Sequence, residues 1–367
     1  MAISRRNFIK VLGGGTILAA TGATAFLSTR TPHKALAPWD KAGNYDDVRH
    51  WALSYALLAP NPHNLQPWMV DLSNPEQVTI FRDKERALPH TDPFSRQLTI
   101  GMGCFLELLS MASAQRGYQV SYELFPKGDE GPVAIASFSK GAQPDPLFDH
   151  VMERRSCKEP FQDKPVPNTL VQQLNSYAKV ITDTDTVNNL KALTWQAWLT
   201  EANTKSAWRE SVDLMRIGKD EINANPDGID LGGPLLETLS LAGIMTREAQ
   251  LVPTSSGYLE GVKIYQQMLA ATPAYCTITT ASNSRVDQIN AGRQWIRLNL
   301  KTTALGLSLH PVSQALQEYP EMQPHNQQAH ALLAPAGERV QMLGRLGYGP
   351  KTARTPRWPL EAKILHG

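Results

Sequence analysis

Cysteine is scarce in this 367-residue chain: Cys104, Cys157 and Cys276 are far apart and odd in number. No Cys-x-x-Cys pair and no Cys/His cluster at metal-ligand spacing occurs, which excludes a zinc-ribbon type of site and a disulfide framework. One disulfide is the most an oxidising compartment would add. The nine histidines are scattered. His325 and His330 lie near each other in a polar stretch that reads as a solvated loop, so no metal site is expected. An excess of one charge is also lacking. Lys and Arg total 36 against 34 Asp and Glu, a net charge of +2 with no basic run, and nucleic acid is therefore not an expected partner. The glycines of Gly344-Arg345-Leu346-Gly347-Tyr348-Gly349 come at the chain end with no βαβ unit after them, so a dinucleotide-binding reading fails. No strand-to-helix nucleophile elbow is visible. At 42% hydrophobic and 19% charged, the composition is that of a globular chain long enough for one large or two small domains.

The N-terminus is more explicit. Ser4-Arg5-Arg6-Asn7-Phe8-Ile9-Lys10 sets an arginine pair before a phenylalanine and a lysine, and an uncharged run rich in Gly, Ala and Thr follows over residues 11–27. A charged start before a short, mildly apolar run is the pattern of a signal peptide. A good membrane span needs ~20 strongly apolar residues, and this run is too glycine-rich. The string reads as a twin-arginine export signal over residues 1–30, with Ala23-Thr24-Ala25 as the small-residue cleavage site. Retention as an uncleaved anchor is the alternative. The expected destination is the periplasm and the first partner is the twin-arginine translocation machinery, which carries folded cargo and usually cargo with a cofactor loaded in the cytoplasm. Residues 31–44 bear proline without periodicity and read as a linker.

Apolar spacing predicts a helix over 45–58, strands over 68–72 and 78–81 joined by an Asn-Pro turn, an apolar helix over 101–116, and strands over 120–125 and 133–138. The order then returns in looser form. A short helix is predicted over 170–177, a long one over 188–216, a buried strand over 274–280, an apolar helix over 293–305 stopped by Gly306, and a strand over 340–346. Residues 220–258 are rich in Gly, Asp and Pro and read as an insertion. Mixed strands and helices indicate an α+β layer fold, and the repeated order points to an internal duplication.

Two segments are candidates for chemistry. In Arg154-Arg155-Ser156-Cys157-Lys158-Glu159-Pro160, the proline favours an extended backbone, and alternation would turn Arg154, Ser156 and Lys158 to one side. Two cations and a hydroxyl make a phosphate grip, although the same residues would suit a solvated basic turn. In Pro60-Asn61-Pro62-His63-Asn64-Leu65-Gln66-Pro67-Trp68, amides offer donors and acceptors for a planar heterocycle and prolines stiffen the wall. An ordinary helix-stopping loop is the other reading. The indoles of Trp195, Trp198 and Trp208 read as core or insertion packing.

Taken together, these segments resemble the nitroreductase superfamily of FMN flavoproteins. Arg154-Arg155-Ser156-Cys157-Lys158, followed by Lys164-Pro165-Val166-Pro167, looks like that family's Arg-x-Ser-x-Arg/Lys phosphate motif. Asn64-Leu65-Gln66-Pro67-Trp68 matches its Asn-x-Gln-Pro-Trp. Residues 292–307 resemble its central helix, and Gly347-Tyr348-Gly349 with Pro356-Arg357-Trp358 its closing strand and basic extension. The resemblance covers the chain from about Tyr45 onward. It implies that Arg154, Ser156 and Lys158 hold the FMN phosphate with help from Arg357. Pro60, Asn61, Pro62 and Asn64 would line the isoalloxazine with Gln66 behind, and the backbone near Ser313 and Gln314 would face flavin N5. Where the family usually has serines, this loop has Asn61 and Pro62.

The order of the motifs is unusual for that family, because the ring loop precedes the phosphate motif and does not recur after it. The expectation is a divergent tandem-repeat branch in which Thr91-Asp92-Pro93-Phe94-Ser95-Arg96-Gln97 is at home. One chain would then form a nitroreductase-like pseudo-dimer of antiparallel-rich sheets flanked by helices, with repeats over 45–145 and 146–367 and a lid near 220–262. The resemblance implies a monomeric oxidoreductase with ping-pong reduction of a small electron-poor acceptor and no dedicated catalytic acid or base. An exported location would favour a membrane quinol or a redox protein over NAD(P)H as donor. The alternative is a non-catalytic, flavin-sequestering protein with a lidded site.

Overall fold

The computed structural model describes residues 30–335 and 337–366. The twin-arginine string, its uncharged run and Ala23-Thr24-Ala25 therefore lie outside the described residues. The first finding corrects the sequence reading. The expected linker contains a helix, α1 (His33–Lys41), with Pro38 inside it and Trp39 buried. Tertiary contacts form the helix despite its lack of periodicity. The Trp39 indole N–H donates to the Thr355 carbonyl at 2.8 Å, Arg357 N–H donates to Ala35 O at 2.8 Å, and Ala35 N–H donates to Asn223 Oδ1 at 3.1 Å.

Next comes α2 (Val48–Ala56), capped by the Asp47 carboxylate on the N–H groups of Arg49 and His50. Strands β1 (Trp68–Asp71) and β2 (Gln77–Arg82) form an antiparallel pair. Helix α3 (Arg96–Gln115) starts earlier than apolar spacing indicates, because Asp92 accepts from the N–H groups of Gln97 and Leu98 at 3.1 and 2.9 Å and satisfies the first turn. Strands β3 (Tyr118–Leu124) and β4 (Ala134–Lys140) complete the first sheet.

The second half opens with α4 (Asn168–Leu174) and β5 (Lys179–Ile181). The long helix expected over 188–216 is broken. Helices α5 (Thr184–Asn203) and α6 (Lys205–Asp213) divide at Thr204, and the chain then enters β6 (Met215–Ile217). Helix α7 (Gly218–Ala224), β7 (Ile229–Leu231), α8 (Pro234–Leu241), α9 (Arg247–Gln250) and α10 (Ser256–Ala270) follow, with β6 and β7 paired in parallel. Strand β8 (Ala274–Thr280), α11 (Arg285–Ala304) and β9 (Ser308–Pro311) come next. Residues 323–333 then form α12 (Gln323–Leu333) rather than the loop expected around His325 and His330. His325 Nε2 is 2.8 Å from Thr200 Oγ1 on α5, which docks that helix. Strands β10 (Arg339–Gly347) and β11 (Ile364–His366) end the chain.

The architecture is α+β. One sheet has the order β11-β1-β2-β4-β3 and the other β5-β8-β10-β9. Strands β1-β2-β4-β3 and β5-β8-β10-β9 have the same antiparallel order, and α3 and α11 occupy equivalent places between the second and third strands of each set. The tail strand β11 adds in parallel to β1, so the end of the second half completes the sheet of the first. Helices α5 to α10 and the β6–β7 pair stand between β5 and β8 as an insertion wider than the one expected over 220–262.

Helices α3 and α11 cross at two glycines. A Cβ on Gly292 would lie 1.9 Å from the Ile100 carbonyl oxygen, and one on Gly103 would lie 2.2 Å from that of Ile289. No side chain larger than hydrogen fits between the two backbones. Around this crossing the two halves share one apolar core that includes Phe105, Leu108, Trp295, Ile296 and Leu298.

Candidate functional site

Helix α2 ends pointing the carbonyls of Leu57, Leu58 and Ala59 away from its last turn, where acceptors are left without helical partners. The loop that follows contains no glycine, yet His63, Asn64 and Gln66 all have left-handed backbones, with φ of 47°, 54° and 53°. Such conformations persist only where the surroundings impose them. Gln66 supplies much of that restraint and is fully buried. Its N–H donates to Asn61 Oδ1 at 2.7 Å, its Nε2 donates to Pro226 O at 2.6 Å, and its Oε1 accepts from Trp358 N–H at 2.8 Å. Its carbonyl accepts from Lys363 Nζ at 2.8 Å. Gly101 on α3 backs the loop, since a Cβ there would lie 3.0 Å from Asn61 Cβ.

Two buried guanidiniums close the end of α2. Arg357 donates from Nε to Leu57 O at 2.8 Å, from one terminal nitrogen to Leu58 O and Ala59 O at 3.1 Å each, and from the other to Asn64 Oδ1 at 2.6 Å. Arg154 donates to Leu58 O at 3.0 Å and to Asn299 Oδ1 on α11 at 3.0 Å. Burial, with neighbouring arginines adding repulsion, pushes Arg154 down to about 10 and Arg357 down to about 9. No carboxylate figures among the charges acting on either group, and Arg154 Nε is buried with no hydrogen-bond partner. The guanidiniums of Arg155 and Arg354 lie over the Trp39 ring at 4.9 and 5.4 Å, so α1 forms the outer wall of this cationic cluster.

Lys158 lies further along the same segment. It keeps solvent contact, yet surrounding protein pushes its ammonium below the usual lysine range, with Asp230 on β7 acting in the opposite sense. Asp230 shows the complementary pattern. It is also open to water, crowding raises its carboxyl, and the Gly232 N–H at 2.9 Å and Lys158 oppose that rise. Lys158 therefore stands where the 154–158 segment, the 60–67 loop, β9 and the insertion act on one another. His63 is pushed down to about 4, first by burial and then by Lys158, and His310 on β9 is pushed well below the imidazole range by burial, Arg345 and Lys158. Both rings are therefore neutral near pH 7.

The 154–158 segment and the 60–67 loop meet at two points: Arg154 donates to Leu58 O just before the loop, and Lys158 acts on His63 within it. Alternation along 154–158 is not strict, because Cys157 is buried as well as Arg154 and its N–H donates to Leu309 O at 3.0 Å. Arg357 meets the cluster with its donors committed to backbone and to Asn64. Ser313 and Gln314 follow β9 and pack toward α5, where the Gln314 side chain bonds to Glu201. Sequence reasoning missed His63 as a partner of Lys158 although it lay in the chosen loop. It also missed His310 and Asp230, for which no local signal existed.

The insertion is fastened to the rest of the chain by two carboxylates. Asp227, between α7 and β7, pairs with Arg86, with Arg216 at 2.8 Å, and with the Trp358 indole N–H at 2.8 Å. Glu210 on α6 accepts from His90 N–H, Thr91 N–H and Thr91 Oγ1 at 2.9, 3.0 and 2.5 Å. The Thr91–Gln97 segment therefore grips the insertion through its first residue and caps α3 through Asp92.

The fold and these residues define an α+β protein with a buried cation cluster beside a strained, proline-flanked loop. No family model matches the chain. Its sequence is similar over most of its length to a Mycobacterium tuberculosis protein provisionally named an NAD(P)H nitroreductase, with 23% identity over 85% of this chain and 89% of that one. It is also similar to PigM of a Serratia strain, likewise provisionally named, with 22% identity over 72% and 80% of the two chains. Among solved structures, a nitroreductase of Anabaena variabilis, so named provisionally, overlaps 86% of this chain and 91% of its own at a TM-score of 0.42 and 12% identity. The FMN-dependent nitroreductase NfnB of Mycobacterium smegmatis overlaps 59% and 96% at a TM-score of 0.36 and 15% identity.

Proposed function

We propose that this protein is an FMN-binding oxidoreductase of the nitroreductase type. The observation that carries this reading is the pair of buried guanidiniums, Arg154 and Arg357, with no carboxylate acting on either and with Arg154 Nε left unpaired. Buried cations are costly without a counter-charge, and a phosphate offers charge and several acceptors at once. The residues present fit that group. Arg154, Ser156 and Lys158 would hold the phosphate, Asn61, Pro62, His63 and Asn64 would wall the ring, and Arg357 would fix the loop. Bound FMN would supply two-electron transfer from a reduced donor to a small electron-poor acceptor. The relatives' names point the same way. Neutral His63 and His310 would offer hydrogen bonds without adding charge, and the insertion reaches the site through Asp230, which acts on Lys158.

Purified protein tests the reading directly. A flavin absorbance band at about one FMN per chain, reduced by a donor and restored by a nitroaromatic or a quinone, is the expected result. A colourless preparation that takes up no added FMN would overturn it. The fastening of the insertion by Asp227 and Gln66 favours one second reading, a flavin-sequestering protein. Bound FMN that no donor reduces and no acceptor reoxidises would select it.

Further parts of the proposal rest on other features. The equal strand order of the two sheets and the placement of α3 and α11 support a tandem duplication that makes one chain a pseudo-dimer. A monomer by light scattering with a single flavin is its expected signature. The Arg5-Arg6 string supports twin-arginine export to the periplasm, where a quinol or a redox protein would be the donor. Retention of the chain in the cytoplasm after Arg5→Lys with Arg6→Lys tests the export. Efficient turnover with NAD(P)H but none with quinols would overturn the donor assignment.

A further inference from the structure

The pairing of β9 with β10 sets His310 directly opposite Arg345. The Arg345 guanidinium is fully buried and lies over the Phe161 ring at 4.2 Å. Its Nε donates to Thr272 Oγ1 at 2.8 Å, one terminal nitrogen lies 3.2 Å from His310 Nδ1, and the other donates to Glu159 O at 3.3 Å. A guanidinium has donors only, so His310 Nδ1 must accept. The proton of the neutral ring is therefore on Nε2. That nitrogen bonds to no described residue. Unlike His330 Nε2, it is not a buried unpaired atom, so it keeps contact with solvent.

Two sets of bonds hold this ring beside Lys158. Cys157 N–H donates to Leu309 O at 3.0 Å, which pairs the residues that precede Lys158 and His310. Arg345 then bridges the residue after Lys158 to the His310 ring. Lys158 is open to solvent and its ammonium bonds to no described residue. An ammonium and a fixed N–H side by side, neither spent on protein, suit one electron-rich oxygen. From this geometry we infer that His310 donates from Nε2 to the FMN oxygen that Lys158 holds, and that Arg345 is the residue that positions it. The contact rests on the flavin reading; the tautomer does not. A second proton on the ring is opposed by burial and by the charges of Arg345 and Lys158, and it would have to displace Arg345 from Nδ1. His310 thus contributes a hydrogen bond and no charge.

Binding of FMN and of riboflavin to the flavin-free full-length chain, followed by flavin fluorescence, tests the contact. His310→Phe keeps a ring and removes the donor, and should weaken FMN binding at least about tenfold. His310→Gln restores an N–H and should recover most of that loss. A loss seen with FMN alone assigns the oxygen to the phosphate, and an equal loss with riboflavin assigns it to the ring carbonyls. Native affinity for FMN in His310→Phe would overturn the contact while the flavin reading stands. A native chain that takes up neither flavin would overturn both. The tautomer is read without flavin, from long-range 15N–1H spectra of 15N-histidine-labelled protein, with His310 assigned by its loss in His310→Phe. Nδ1 should be unprotonated and Nε2 protonated in the native chain from about pH 6 to 8, and Arg345→Met should release a mixture of tautomers or the imidazolium. A proton on Nδ1 in the native chain would overturn the role of Arg345 without recourse to any Arg345 variant, as would an unchanged tautomer in Arg345→Met.

Discussion

Arg154 and Arg357 donate to the same oxygen, the carbonyl of Leu58, at 3.0 and 3.1 Å. One guanidinium comes from the segment after the first sheet and the other from the C-terminal tail, and they meet at the end of α2. Like charges this close in a buried site oppose folding unless something compensates them. Carbonyl dipoles at a helix C-terminus provide part of the compensation. A bound phosphate would provide the remainder. That arrangement gives Arg154, with its free Nε, a different role from Arg357, whose donors are engaged.

Arg154→Ala combined with Lys158→Ala should abolish FMN retention on gel filtration while leaving the far-UV circular dichroism spectrum unchanged. Arg357→Ala should instead lower stability first, by about 3–5 kcal/mol as the loop carbonyls and Asn64 lose their donors. Flavin content against denaturation midpoint separates the two. Undiminished FMN in the double variant would refute the phosphate assignment.

Gly292→Ala should be severe. The added methyl would meet the Ile100 carbonyl oxygen and the Gly103 backbone, neither of which can move as a side chain can. A loss of about 3 kcal/mol or more is expected, beyond the ordinary range for overpacking. Gly306→Ala, with open space around it but φ of 69°, should cost about 1 kcal/mol from backbone strain alone. Urea denaturation of both variants checks the ranking.

The Lys363 ammonium is pushed down to about 7, by burial first and by Arg86 second. Its unfolded value is near 10.5. Between the two, the unfolded chain binds a proton that the folded chain does not, so stability contributed through Lys363 rises with pH and is lowest below about 7. Lys363→Met should remove this dependence. The stability of the native chain minus that of the variant should climb by up to about 1.4 kcal/mol per pH unit between pH 7 and 9. A difference that stays flat over that range would show that the lysine is not held this way.

Asp227→Asn should loosen the insertion. It leaves Arg216 without its carboxylate and Arg86 with Asp83 alone, and it weakens the bond to the Trp358 indole. Truncating one side of a buried ion pair typically costs about 3–5 kcal/mol, and here the cost should appear as local opening. Hydrogen exchange should accelerate in β6, α7 and β7 while α3 and α11 stay protected. If the acceptor reaches the cleft past the insertion, reoxidation of bound FMN should quicken as well.

Much of the frame was legible from residue order. Strand β8 has the bounds that its run of apolar and β-branched residues indicates, and α2 lies within the helix that apolar spacing places over 45–58. Periodicity failed where tertiary contacts decide. Helix α1 exists because Trp39 is clasped by Arg155, Arg354, Arg357 and the Thr355 carbonyl. The long helix expected over 188–216 breaks at Thr204, whose C-cap geometry returns α6 across α5. The early start of α3 depends on Asp92, a cap five residues before Gln97 that apolar spacing does not register.

The sequence by itself determined the α+β succession and singled out two candidate segments within it, the cationic stretch at 154–158 and the proline-flanked amide loop at 60–67. Residue types and neighbours along the chain are enough for that, because turns, caps and apolar periodicity are local. Only the tertiary structure decided that Arg154 and Arg357 share Leu58, that His63 and Asp230 face Lys158, and that the insertion is fastened to Trp358. Those relations join residues far apart in the chain. Their consequences, neutral histidines and uncompensated arginines, depend on the dielectric and the charges that only packing creates.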